Sequence, residues 1–112
     1  MNLIYICSPY RGKSKKKTRK NIYKARRYCR LAAICGKIPF APHLLFPQFL
    51  NDDVPAERDM GIAMGKALMP ACHEMWVFGT PSEGMADEIA AAREMGIGIR
   101  WFDSKGRVRQ NG

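Results

Sequence analysis

MWVFGTPSEGMADEIAAAREMG, Met75 to Gly96, is the stretch that decides the fold. Met75 to Gly79 is a short apolar run rich in β-formers, the pattern of a buried strand. Thr80 to Glu83 reads as a capping box: Thr80 caps, Pro81 occupies the first turn and Glu83 reaches back. A helix of mostly small residues follows as far as Gly96. On it, Glu88 sits next to Ile89 and three residues after Met85, bordering the face that packs on the sheet. A carboxylate there is costly unless it is paired or opens into a cavity. Glu88 is therefore either a functional side chain or a partly exposed surface one.

Working outward, the same alternation recurs. Asn2 to Cys7 is a continuous β-rich apolar run, consistent with a strand covered on both faces. After a loop rich in lysine, Ile22, Ala25, Cys29, Ala32 and Ala33 recur at helical spacing, predicting a helix from Thr18 to Cys35 that Gly36 stops. Lys37 to Ala41 reads as a second short strand, and His43 to Val54 as irregular. A helix then starts at Pro55, carries a core stripe of Met60, Ala63, Met64, Ala67 and Leu68, and ends at Pro70. Ile97 to Phe102 is a fourth strand. Residues 103 to 112 read as a loose polar tail.

Strands alternating with helices predict one α/β domain over residues 1–112. Its expected architecture is a three-layer, flavodoxin- or Rossmann-like parallel sheet of about four strands with helices on both faces. In such sheets ligands bind beyond the carboxyl ends of the strands, where the chain order reverses. Two loops compete for that place, CSPYRG (Cys7 to Gly12) and GTPSEG (Gly79 to Gly84). CSPYRG is neither a dinucleotide fingerprint nor a P-loop, so no cofactor is expected. Arg11 and Gly12 suit an anion or a ribose, and Gly84 permits close approach to the free N–H groups of a helix start.

At 112 residues the chain is long enough for one core and too short for two. No apolar run approaches the roughly 20 residues that span a bilayer, and the N-terminus lacks signal-peptide features, so a cytoplasmic protein is expected. Four cysteines, Cys7, Cys29, Cys35 and Cys72, lack zinc-ligand spacing and read as buried free thiols, with no metal site. The net charge is +9, yet every acid lies at Asp52 or later, while Arg11 to Arg30 holds eleven Lys and Arg and no acid. Three readings of that block stand: a solvated helix face, a field that attracts a phosphorylated small ligand, and a nucleic-acid surface. Stacking aromatics at regular spacing and nucleic-acid-binding motifs are missing from it, which disfavours the third.

The chain resembles the nucleoside 2-deoxyribosyltransferase superfamily, particularly its 2'-deoxynucleoside 5'-monophosphate N-glycosidase branch. YICSPYRG (Tyr5 to Gly12) is similar to that branch's Tyr-x-Cys-Gly-Ser-x-Arg-Gly, ERD (Glu57 to Asp59) to its Glu-Arg-Asp, and PSEGMADEI (Pro81 to Ile89) to its Pro-Ser-x-Gly-x-x-x-Glu-Leu. PFAPHLLFPQFL also resembles small bacterial and phage proteins near this superfamily. The resemblance implies retaining glycosyl transfer at C1' of a deoxyribonucleoside or its 5'-monophosphate, either hydrolysis or base exchange. Glu88 would be the nucleophile, Asp59 a second carboxylate on the base, and Tyr5 a hydrogen-bonding partner of nucleophile or sugar. Ser82, Gly84 and the loop carrying Ser8, Arg11 and Gly12 would receive the 5' end, with His43 flanking the pocket. It departs from the family pattern at Ser8-Pro9, which removes a backbone N–H, and in a longer Asp59-to-Ser82 spacing. A homodimer or larger homo-oligomer is also implied, with HLLFPQFL suited to its interface. The alternatives are a nucleotide-binding protein of the same fold without catalysis, and a basic nucleic-acid adaptor.

Overall fold

The computed structural model describes residues 1–109. Five strands, β1 (Leu3–Cys7), β2 (Ile38–Phe40), β3 (Glu74–Phe78), β4 (Gly98–Phe102) and β5 (Val108–Arg109), form one sheet in the order β2-β1-β3-β4-β5. The pairs β1–β2, β1–β3 and β3–β4 are parallel, while β4–β5 is antiparallel. The helices are α1 (Lys15–Ile34), the short α2 (Pro42–Leu45), α3 (Pro55–Leu68) and α4 (Glu83–Glu94). After β1 the chain steps to one side to make β2, then crosses to the other side to make β3. The tips of β1 and β3 therefore flank the switch point at which flavodoxin-like sheets open a crevice.

Residue alternation on the two central strands sorts the core into two layers. Ile4, Ile6, Trp76 and Phe78 pack with Tyr28 and Ala32 of α1. Tyr5, Cys7, Met75 and Val77 point to the opposite face and pack with Met85, Ile89 and Ala92 of α4. The Tyr28 ring stacks on Phe78 at 4.1 Å between centroids, and Phe78 on Phe102 at 4.7 Å. Each large side chain so buried contributes roughly 2 kcal/mol. Covered on both faces, the central strands need the continuous apolar runs that the sequence supplies.

Several boundaries differ from the sequence reading. α1 begins at Lys15, three residues ahead of the expected start, because Ser14 caps it by accepting from the Lys17 N–H. α4 begins at Glu83: Gly79, at φ 80°, turns the chain out of β3, Thr80 and Pro81 carry it onward, and Ser82 rather than Thr80 is the cap. The expected irregular stretch after β2 contains α2 and a 3₁₀ turn at Phe46–Gln48. The tail is not loose over Asp103 to Arg109. There the Asp103 carboxylate accepts from the Lys105 and Arg107 N–H groups and folds the chain back so that β5 extends the sheet; residues 110 to 112 lie outside the described residues. All four cysteines are free; Cys7 and Cys72 are buried, but Cys29 is half-buried and Cys35 is exposed just past the end of α1. No helix among the described residues is long and apolar enough to cross a membrane.

Candidate active site

The tip of β1 brings Tyr5 and Cys7, two residues apart and so on one face of the sheet, against α4. Glu88 lies on the second turn of that helix. The Tyr5 hydroxyl donates to Glu88 Oε2, and the Cys7 thiol lies 3.5 Å from Oε1. Each carboxylate oxygen thus faces a donor from the same strand. Burial first, and the neighbouring carboxylate second, push the Tyr5 hydroxyl and the Cys7 thiol above their ordinary ranges, so both keep their protons. Burial also raises the Glu88 pKa above its ordinary value, opposed by the bonds from Tyr5 and Cys7 and by the charge of Lys66 on α3. Among the described residues no Lys or Arg forms a salt bridge with Glu88.

Glu88 opens into a cavity of about 390 Å³ between the β1 tip, α2 and the turn after it, α3 and the start of α4, a volume within the range of small-molecule sites. Of the residues singled out in the sequence, Tyr5, Ser8, Arg11, His43, Ser82, Gly84 and Glu88 all line it. Ser8 Oγ is 3.1 Å from His43 Nε2. Burial lowers the His43 pKa to about 4, leaving a neutral imidazole at neutral pH. Ser82 accepts from the Met85 N–H at 3.3 Å, and Gly84 has no heavy atom within 4 Å of where a Cβ would stand. Arg11 is engaged at the mouth, with Nε 3.1 Å from Asp52 Oδ2 and Nη2 2.5 Å from Asp53 Oδ1.

Two expected members stand elsewhere. Asp59 is exposed and does not line the cavity; it lies roughly 120° round α3 from Gly65, which does. Glu57, two residues earlier, lines the cavity and accepts from the Asn51 N–H at 3.0 Å. Gly12 also lies outside the lining. Its N–H donates to Thr18 Oγ1, and a Cβ there would stand 2.2 Å from Lys17 Cγ, so it serves the packing of the loop on α1.

Other site residues went unread in the sequence. Cys7 had a signal, since it follows Tyr5 by two on a strand. Gly65 had one too, as an interior helical glycine marks a close approach: a Cβ there would meet Pro42 at 3.3 Å and the Tyr5 hydroxyl at 3.5 Å. Lys66 and Asp52 had none. Carboxylates in the lining (Asp52, Glu57, Glu83, Asp87, Glu88) outnumber cations (Arg11, Arg58, Lys66) five to three.

This sheet order and its surrounding helices are similar to those of 2-deoxyribosyltransferases. The fold matches 2-deoxyribosyltransferase from Bacillus psychrosaccharolyticus, described as a biocatalyst for synthesis of antiviral and antitumoral nucleosides, with a TM-score of 0.66 and 18% identity over 96% of this chain and 77% of that one. It also matches 2-deoxyribosyltransferase from Leishmania mexicana, with a TM-score of 0.55 and 18% identity over 92% of this chain and 65% of that one. The chain belongs to the family described as a domain of unknown function, DUF7768, which matches residues 2–102. No curated protein matches it.

Proposed function

We propose that this chain cleaves the N-glycosidic bond of a 2'-deoxyribonucleoside, or transfers its sugar, through a covalent ester on Glu88. A Glu88 oxygen attacks C1', the C1'–N bond breaks, and its electron pair leaves with the base, which takes up a proton. Water or a second base then attacks C1' and releases Glu88. The observation that carries the reading is the Tyr5–Glu88 hydrogen bond inside a cavity at the tip of β1. Tyr5 fixes one carboxylate oxygen and offsets the effect of burial on the other, which keeps the carboxylate available to attack. The similar folds of two 2-deoxyribosyltransferases support the sugar and the bond.

Charge favours the nucleoside over its 5'-monophosphate. A phosphate entering the lining meets more carboxylates than cations, and Arg11 is already paired at the mouth with Asp52, one of those carboxylates, and with Asp53. A homodimer or larger assembly fits the exposed Leu45, Phe49, Met60 and Ile62 along α2, the following turn and α3.

A non-catalytic binder of the same ligand is the second reading. One observation favours it: burial raises the Glu88 pKa, and a protonated carboxyl is not a nucleophile. Incubation with the four deoxynucleosides and their monophosphates, with chromatography of free base, separates the two. Base release by the wild type that vanishes in Glu88→Ala, with ligand affinity retained, supports catalysis. Ligand binding without base release from any member of the panel overturns it.

A further inference from the structure

We propose that α1 is a docking surface for duplex DNA, a function separate from the Glu88 cavity. At 20 residues the helix is about 30 Å long. Its buried residues, Asn21, Ala25, Tyr28 and Ala32, define one face. On the side of the helix turned away from it, at i, i+4, i+7, i+11 and i+14, stand Lys16, Lys20, Tyr23, Arg27 and Arg30, all exposed, with Tyr23 61% accessible. Arg19 and Arg26 lie roughly 80° or less to one side of that ridge, and Lys17 and Lys24 roughly 100° or less to the other. The helix contains no acid, and among the described residues no side chain of α1 joins a salt bridge.

Fixed positive charge that nothing in the fold neutralises calls for an anionic partner, and its distribution selects the kind. A convex helix about 10–12 Å across, side chains included, fits the roughly 12 Å major groove of B-DNA. Cations on both flanks then face the phosphates of both groove walls, while the ridge enters between them. A-form RNA, whose major groove is deep and narrow, does not admit it. A lone aromatic on the ridge is too few for the stacking platform that a single strand needs. On the Lys17/Lys24 flank a depression of about 200 Å³, also lined by Asn21, Thr80 and Ser104, offers a seat for one phosphate.

The test is fluorescence anisotropy of a labelled random-sequence DNA duplex titrated with the full chain, beside a single strand and an RNA duplex of equal length and vesicles rich in anionic lipid. About five phosphate contacts predict a several-hundred-fold loss of affinity between roughly 50 and 200 mM salt. The double reversal Lys20→Glu with Arg27→Glu, on exposed positions and checked for fold by circular dichroism, is expected to weaken duplex binding more than about tenfold and to leave base release unchanged. Arg58→Glu with Arg93→Glu, the same charge change at exposed positions of α3 and α4, on the face of the sheet opposite α1, is the control. An equal loss in the control, binding to single strands or vesicles as tight as to duplex, or no duplex binding at low salt would each overturn the proposal.

Discussion

The Tyr5 hydroxyl and the Glu88 carboxylate, 83 residues apart in the chain, meet in a hydrogen bond where β1 faces α4. Tyr5 is 1% exposed and its ring packs edge-on against Phe40, so the hydroxyl has little freedom to turn elsewhere. Tyr5→Phe keeps the ring and removes the donor. A hydrogen bond to a charged group is worth about 1.5–3 kcal/mol, so base release is expected to fall by roughly tenfold to a hundredfold. Because the bond lowers the Glu88 pKa, its loss also moves the acid limb of the pH–rate profile upward. A fall in rate with an unmoved acid limb would assign Tyr5 to packing alone.

Glu88 is itself expected to cost stability near neutral pH. Burial raises its folded pKa above the ordinary 4.5, so the folded state binds a proton more tightly than the unfolded one. The corresponding stability is fully present below the unfolded pKa and is lost as pH rises through the folded pKa. Glu88→Gln, uncharged at every pH, removes that loss. Its melting temperature is expected to exceed the wild-type value above the ordinary carboxylate range, with the gap closing as the solution is acidified, while base release drops at least about a thousandfold. The opposite burial effect on His43, which favours the neutral ring and withdraws stability as pH falls from 6.5 toward about 4, is common to both proteins and cancels in the comparison. A gap that is absent or independent of pH would contradict the burial account.

The layer plan was readable because β1, β3 and β4 are long enough to show apolar runs and α1, α3 and α4 to show a 3.6-residue period. β5 was not, since two residues, Val108 and Arg109, carry no period, and the turn before them rests on the Asp103 side chain bonding local backbone. Glu88 stood out as a carboxylate among residues that must pack. The Asp59 expectation failed because a match at a helix start locates the helix without fixing its rotation, and two residues of α3 separate a cavity-lining acid, Glu57, from an exposed one. The Arg11 pairing was illegible for another reason. Its partner Asp53 is 42 residues away, across a loop whose path only the packed fold determines.

That pairing leads to a prediction about specificity. Arg11 is the expected phosphate contact, yet Asp52 and Asp53 hold it at the mouth. Asp52→Asn with Asp53→Asn keeps the shape, removes two negative charges and releases the guanidinium. The ratio of kcat/KM for a deoxynucleoside 5'-monophosphate to that for the nucleoside is expected to rise roughly tenfold, about 1.4 kcal/mol of discrimination. The Arg11–Asp53 pair is open to solvent and the Arg11–Asp52 pair partly so, and the stability change should be about 1 kcal/mol or less. An unchanged ratio, measured at low salt, would show that Arg11 does not meet the 5' end.

Gly84 offers a probe of where the ligand lies. It occupies the first turn of α4 beside the cavity, and its backbone lies outside the left-handed region, so glycine is not required there by conformation. A Cβ at this position would find open space within 4 Å. Gly84→Ala should therefore fold as well as the wild type and gain roughly 0.5 kcal/mol from the smaller freedom of its unfolded chain. A substrate seated against the N–H groups of this turn, by contrast, requires the backbone to be bare. The added methyl group is then expected to raise KM about tenfold, roughly 1.4 kcal/mol of lost binding, with an unchanged or slightly higher melting temperature. Steady-state kinetics and a thermal melt on the one variant decide the matter: an unaltered KM would move the ligand away from α4 and toward the Ser8–His43 side of the cavity.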